Sequence, residues 1–463
     1  MNSKIAAIHR ASVEILKDVG IAVKSESTLD ILRKNRIRVQ GETAYFTEAQ
    51  IKEALEAAPA EFDIKARNPK YDIHLDQNAA EYAPGYGCTR ILERDGSERP
   101  ARREDFIKLL KLIEVNEAFN INGGILVQPD DIPAGHCQLI MMNDILRHSE
   151  KCLITVPGTR EETEMVMEML AIVFGVEDMR RNCRSLTLIN TTSPLRLDDR
   201  ALGALEACGK YNQGLIITPG PSCGTVGPVT PAGTLALGNA EALAAIVIAQ
   251  LVRPGLPVVY GLSATPANFK TAGVDLGSPE YCLLHKYSAA LARFYNLPSR
   301  TGGAQVDAKK VSAQSGYQSA MELFASRLTG ANLMMHAAGI MDCFNSVSYD
   351  KMMCDFELIS RIEYYFKDIE VNEATLLLSD IKRVGIGGEY LSCKSTVEHC
   401  RTIPWFPTIT PNGYVGDGTR YERHVDDNID RQIAGLLAEY VRPEMEPEAL
   451  AGLDAYLDAA LSK

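Results

Sequence analysis

LIITPGPSCGTVGPVTPAGTLALGNAEALAAIVIAQLVRPGLPVVYG, Leu215–Gly261, holds the pattern from which the fold is read. It begins with a short apolar run, Leu215–Thr218, and breaks at Pro219 into a glycine-rich loop that ends at Gly227. The chain then turns helical and closes on a second apolar run, Pro257–Tyr260. A strand, a helix and a strand in that order imply parallel pairing through a right-handed crossover. The most apolar part of the helix, Ala242–Val252, is interrupted by Gln250 and flanked by Glu241 and Arg253. It falls short of the ~20 apolar residues needed to span a bilayer.

The same grammar repeats on both sides. Runs near Ile121–Val127, Leu153–Val156, Leu186–Ile189, Ser299–Gly303, Asn332–Ala337 and Val384–Leu391 bring the number of strand-like segments to eight, each followed by a polar or Gly/Pro loop and a helical stretch. Eight repeats predict an α/β fold closed into a TIM (β/α)8 barrel; an open doubly wound sheet is the alternative. Ahead of it, Ile5, Ile8, Val13, Leu16 and Val19 recur at helical spacing up to Gly20. Thr47 with Gln50 makes a capping box, and Phe62–Arg94 has short extended runs broken by Asn-Pro and Gly-Tyr-Gly. Residues 1–101 are therefore expected to form a helical and β appendage, 102–400 the barrel, and 401–463 a helical extension that starts with an irregular aromatic segment, Thr402–Tyr421.

With 48 basic and 60 acidic residues the net charge is −12. That argues against a nucleic-acid surface and mildly favours cationic ligands. The first twenty residues lack the apolar core of a secretion signal, and eleven cysteines stand singly with no close CxxC pair. Both suit a reduced, cytoplasmic setting with no membrane association.

In a parallel barrel the chemistry assembles where the strands end. Those positions are Gln128 and Pro129, Pro157, Asn190–Ser193, Pro219–Gly227, Gly261–Ser263, Gln305–Gln314, His336–Phe344 and His399–Pro407. His336 ends the apolar run NLMMHAAG, with Phe344 and Asn345 soon after. Trp405, the only tryptophan, stands beside Phe406 between two prolines. Together with Tyr86 and Phe344, these rings are candidates for a cage around a quaternary ammonium, which gains roughly 0.5–2 kcal/mol over an aromatic face. They serve equally well as a plug for the barrel mouth. GxxxxGK[ST], GxGxxG and HExxH are all missing, and the cysteines lack zinc-site spacing, so neither a nucleotide loop nor a metal site is indicated.

Several stretches resemble one family. They are IHRASVEILKDVGI (Ile8–Ile21), NTTSPLRLD (Asn190–Asp198), GPVTPAGTLALGNAEALA (Gly227–Ala244), LVRPGLPVVYG (Leu251–Gly261), LGSPE (Leu276–Glu280), LPSRTGGAQVDAKKVSAQSGYQ (Leu297–Gln318) and GANLMMHAAGIMDCFNSVSYDKMMCDFELI (Gly330–Ile359). The chain is similar to the trimethylamine methyltransferase superfamily, in particular to the members that lack pyrrolysine and act on quaternary amines.

This resemblance implies a (β/α)8 barrel and a separate corrinoid protein docking over its open end to accept the methyl group on Co(I). Glycine betaine is the leading substrate, with proline betaine and carnitine-like compounds next. A quaternary ammonium departs as a neutral tertiary amine, so no protonation and no side-chain nucleophile are needed; the protein orients the N–CH3 bond and excludes water. Gln305, Asp307, Gln314 and His399 join the rings as expected substrate contacts. Gly220, Gly224, Gly302 and Gly303 are expected to meet the corrinoid. A betaine carboxylate needs a clamp, for which His336, Arg90, Lys309 and Asn345 are candidates, whereas Arg300 reads as a structural ion-pair partner. No DxHxxG loop is present, since Met334 occupies the Asp position before His336, and the corrinoid is therefore assigned to a partner. A metal-assisted lyase or hydrolase on the same barrel, and a non-catalytic quaternary-amine binding protein, are the competing readings. Long loops and an acidic surface permit a homo-oligomer.

Overall fold

In the computed structural model, which describes residues 2–413 and 421–462, the Leu215–Gly261 stretch folds as strand, loop, helix and strand. The strands are Gly214–Ile217 and Val258–Tyr260, and the helix between them is Pro231–Val252. Thr230 caps this helix by accepting the Gly233 N–H, with Pro231 in the first turn, where its missing N–H costs nothing. The helix is apolar on every side and is accordingly enclosed on every side. By length and composition it would cross a membrane, yet 89% of its apolar window lies inside the protein. The N-terminal helix Asn2–Asp18 packs along it. Ser12 donates to the Ala236 carbonyl and accepts from Asn239, both at 2.8 Å.

We label the main strands in chain order: β1 Glu81–Tyr82, β2 Ile121–Gly123, β3 Cys152–Ile154, β4 Ser185–Ile189, β5 Gly214–Ile217, β6 Val258–Tyr260, β7 Arg300–Thr301 and β8 Leu333–Met334. Strands β2 to β6 pair in sequence order, all parallel. A parallel bridge from Tyr260 to Ser299 leads on to β7, which pairs in parallel with β8, and β8 with β1. Just past the two outermost strands, the Gly87 N–H donates to Ile125 O and the Gln128 N–H to Cys88 O, each at 2.7 Å. Ile121, Ile154, Leu186, Ile216, Val259 and Leu333 come from six different strands and meet in one buried cluster. The hairpin Phe62–Ile64/Ile73–Leu75 adds Ile64, Ile73 and Leu75 to that cluster. Each such side chain contributes roughly 1.5–3 kcal/mol when fully buried.

Seven of the eight expected runs thus contain a strand. The eighth does not: Val384–Leu391 is the exposed end of a short helix followed by a turn. Gly385 and Gly387 there take positive φ, 68° and 73°, which stops an extended run. Its place beside β8 is taken by Glu81–Tyr82, from the stretch assigned to the N-terminal appendage. A two-residue strand inside EYAPGYG is too short to display a period of two.

Towards the C-terminus, helix Tyr349–Phe366 is followed by three short helices, Glu373–Leu376, Leu378–Val384 and Lys394–His399. The chain then returns to the long helix. There the buried Glu357 carboxylate accepts the N–H groups of Thr408, Ile409 and Thr410 at 2.9, 2.5 and 3.1 Å. Part of the aromatic segment, 414–420, lies outside the described residues. Helices Tyr421–Glu439 and Pro447–Leu461 complete the extension.

Candidate active site

Because the main strands run in one direction, their carboxyl ends face one side of the sheet, and a cavity of about 500 Å3 opens there. Tyr86 reaches it from the loop after β1, Asn190 and Thr191 from after β4, and Thr218 and Gly220 from after β5. Ser263 follows β6, Arg300 and Gln305 belong to β7 and its loop, and His336, Cys343 and Phe344 follow β8. A larger space of about 660 Å3, lined by His9, Glu48, Phe294 and Tyr295, draws on no strand end.

One wall of the cavity is aromatic. The His336 ring stands edge-on to Phe344, centroids 4.6 Å apart at 78°, and to Tyr86 at 6.5 Å and 75°. Tyr86 packs against Gly124, whose φ is 72°; a Cβ at that position would strike the tyrosine ring. His336 is itself left-handed, φ 60°, and so are three consecutive residues, Asp342, Cys343 and Phe344, at 48°, 51° and 80°. Non-glycine residues hold such angles only when their surroundings impose them, and they concentrate at functional sites. Here the His336 N–H donates to Pro84 O at 3.1 Å, and those of Asp342 and Cys343 donate to Ala308 O and Val306 O, each at 3.1 Å. Burial, reinforced by Arg300 and His285, drives the His336 pKa well below its ordinary value, so the imidazole is neutral. Burial likewise keeps the Tyr86 phenol protonated.

Beside the rings, on the neighbouring strand, the cavity carries a charge. Arg300 is 2% exposed. Its Nη1 donates to Ser263 Oγ at 2.6 Å, and Ser263 in turn shares a 2.7 Å hydrogen bond with Thr218. Its Nε has no partner among the described residues, and no carboxylate there lies within ion-pair distance of it. Burial lowers its pKa, while Tyr281 and Glu322 act in the other direction. The structural ion pair expected of Arg300 is therefore corrected: the guanidinium faces the cavity and carries unused donors.

Behind it, the Gln305 N–H donates to Glu322 Oε2 at 2.6 Å, and the Tyr281 hydroxyl donates to Gln305 Oε1 at 3.0 Å. Burial pushes the Glu322 carboxyl up to about 8 and lowers the pKa of its neighbour His285. At the cavity edge Thr191 and Ser193 donate to the buried Glu241 carboxylate of the long apolar helix, Ser193 at 2.8 Å. This contact ties the loop after β4 to that helix.

Of the residues expected at the site, Tyr86, Gln305, His336, Phe344 and Gly220 line the cavity. Asp307 stands one step back, accepting the N–H groups of Leu276 and Gly277 at 3.0 and 2.8 Å, and so fixes the loop that brings Leu276 to the cavity. Gln314 and Asn345 are exposed beyond it. Gly224, φ 82°, sits in the exposed turn under Phe269. Gly302 and Gly303 are buried: a Cβ on the first would collide with Glu322, His285 and Gln305, and on the second with Ala337. Close packing accounts for both. Among the clamp candidates, Arg90 pairs with Glu98 at 3.0 Å and Lys309 with Asp342 at 3.2 Å.

His399, Trp405 and Phe406 are not brought to this cavity. His399 and Phe406 are exposed. Trp405 lies on the outer side of helix Tyr349–Phe366, donating to Ser360 at 3.1 Å with Arg361 stacked 4.4 Å from its ring centroid. The cause is the missing eighth strand: the loop read as its end is the strap that returns along the helix. Sequence reasoning missed Arg300, Tyr281 and Thr218, whereas Cys343 falls inside the expected stretch His336–Phe344. For Arg300 a signal existed, a cation inside the strand-like run SRTGG; Tyr281, in the first turn of a helix, had none. Among the described residues no three His, Cys, Asp or Glu side chains converge as metal ligands.

A cavity walled by rings, with one buried guanidinium, at the ends of parallel strands is the setting of a small-molecule enzyme. The family model for trimethylamine methyltransferase (MTTB) matches residues 1–460, and the chain belongs to that family of methyltransferases. It is 35% identical over 455 residues to the glycine betaine methyltransferase of Desulfitobacterium hafniense (strain Y51), covering 98% of this chain and 95% of that protein. To the proline betaine:corrinoid methyltransferase of Eubacterium limosum it is 28% identical, over 98% and 96%. The crystal structure of the Methanosarcina barkeri monomethylamine methyltransferase (MtmB) superposes with a TM-score of 0.54 at 10% identity, over 99% of this chain and 86% of that one, a likeness of fold.

Proposed function

We propose that this methyltransferase removes a methyl group from a quaternary amine bearing a carboxylate and passes it to Co(I) of a corrinoid carried by a separate protein. Glycine betaine is the first candidate, with proline betaine and carnitine-like compounds behind it. The observation that carries the reading is that one cavity holds both a ring wall, Tyr86, His336 and Phe344, and a buried guanidinium, Arg300, that has no carboxylate partner among the described residues. A zwitterion bearing both a trimethylammonium and a carboxylate matches the two together. The rings stabilise the cation without hydrogen bonds, and the Arg300 fork binds the carboxylate.

The chain's part in the reaction is positional. With both ends of the substrate held, one N–CH3 bond is aimed out of the opening towards the acceptor, which arrives as a second substrate. The leaving amine is neutral, so His336 need not give up a proton, in keeping with its depressed pKa. Gln305, anchored through its backbone to Glu322, borders the carboxylate end.

We infer that β1 to β8 close as a (β/α)8 barrel with residues 1–80 as its appendage. The cluster shared by six strands and the two backbone bonds beyond β1 and β2 support this closure. Around the mouth, Val226, Val229, Phe269 and Val311 are exposed apolar side chains, a rim suited to docking a corrinoid protein. Eleven free cysteines fit a reducing cytoplasm.

The test is a substrate panel with reduced cobalamin or a corrinoid protein, following the absorbance change from Co(I) to methyl-Co(III). Glycine betaine or a close relative should drive the change far faster than trimethylamine, choline or tetramethylammonium. Equal rates for tetramethylammonium and the betaines would remove the carboxylate from the reading.

A further inference from the structure

Residues 368–402 leave the end of helix Tyr349–Phe366 and come back to it as an arm. Among the described residues, the hydrogen bonds made by this segment stay within it apart from one at its very end, the Ile403 N–H donating to His399 O at 3.0 Å; the first tie to the body is the Tyr364 hydroxyl donating to Ile403 O at 2.6 Å. Ten of its large apolar side chains stand in the open: Ile386 is fully exposed, Leu391 82% and Ile369 80%, with Val371, Leu376 and Val397 all above half. Its helices have 4, 7 and 6 residues. Isolated helices so short do not persist in water, because nucleation outweighs the few bonds gained. An arm of this composition needs a surface to lie on.

That surface is present on the same chain and is equally bare. Helix Ala313–Leu328 turns Tyr317, Met321 and Leu328 outward, 64%, 47% and 65% exposed. With the half-buried Phe324 they form an i, i+4, i+7, i+11 stripe. The stripe continues through the Phe324–Tyr365 ring contact, 5.2 Å between centroids, to the point where the arm departs.

We propose that the arm seats on a second copy of this chain, laying its apolar side chains against the partner's helix stripe while the partner's arm does the same in return. Two reciprocal surfaces that adjoin one another on one chain are what a two-fold contact requires. The area suffices: ten side chains exposed to this degree present on the order of 1,000 Å2, against roughly 800 Å2 per partner in a stable interface. A corrinoid protein is the poorer occupant, because helix Tyr349–Phe366 starts on the cavity side, just after Ser348, and the arm leaves from its far end.

Sedimentation equilibrium of the full chain at micromolar concentration tests this, with Ile386→Asp/Leu391→Glu on the arm and Met321→Glu on the stripe. These side chains are exposed in a single copy, and circular dichroism should be unchanged in every variant. The wild type should run as a dimer or a higher even assembly, with each variant weakening association at least tenfold. A wild-type monomer overturns the proposal, as does an assembly that neither variant disturbs. An arm variant that dissociates while Met321→Glu does not would also overturn it, by removing the stripe as the seat.

Discussion

Two aromatic loops of this molecule look alike in sequence and differ in every physical respect. The one around His336 and Phe344 is largely buried and left-handed at four residues, and it shares its cavity with a guanidinium that has no counter-ion among the described residues. The one around Trp405 and Phe406 lies half in solvent along the outside of a helix, and there Trp405 meets Arg361 and Ser360. A buried carboxyl accompanies each region, Glu322 holding the Gln305 N–H and Glu357 the Trp405 loop, in opposite ways. Glu322 behind the cavity is pushed up to about 8 by burial. For Glu357 under the Trp405 loop, burial also pushes upward, but the Thr410 hydroxyl and three backbone N–H groups hold its pKa below the ordinary value. Aromatic content therefore does not mark the site; backbone strain and an unpaired charge do.

The contrast is broken most decisively at Arg300. Arg300→Met should lower kcat/KM for a betaine about 100-fold, the roughly 3 kcal/mol of lost charge-assisted contact. Any turnover of tetramethylammonium should be spared, and an equal loss with both substrates would return Arg300 to a structural role. Phe344→Ala should raise KM about tenfold by removing one face of the cage, with little change in the thermal midpoint; a KM within error of wild type would take Phe344 out of the binding wall.

The two carboxyls also respond to pH in opposite directions. Glu322 has a raised folded pKa, so its contribution to stability is intact below about 4.5, the ordinary glutamate value, and fades as pH climbs through about 8. Glu357 has a lowered pKa, so its contribution is present above the ordinary value and fades as pH falls through the folded one. Denaturant melts across pH should show Glu322→Gln flattening the alkaline decline and Glu357→Gln the acid decline; the reverse assignment would contradict both. The smallest effect is reserved for Trp405→Ala, which should cost about 1 kcal/mol of stability and less than a twofold change in KM.

Local sequence alone disclosed seven strands, the capping box at Thr47, and the strand ends that carry Asn190, Gly220, Ser263, Gln305, His336 and Phe344. Such features are written locally, in runs of four to ten residues that favour one backbone geometry. Tertiary structure decided the rest. It put Glu81–Tyr82 beside β8, turned Arg300 into the cavity without a counter-ion among the described residues, and sent Trp405 to the outside. Those outcomes depend on which segments meet across hundreds of residues, and neither a two-residue strand nor the direction of a side chain leaves a trace in local spacing.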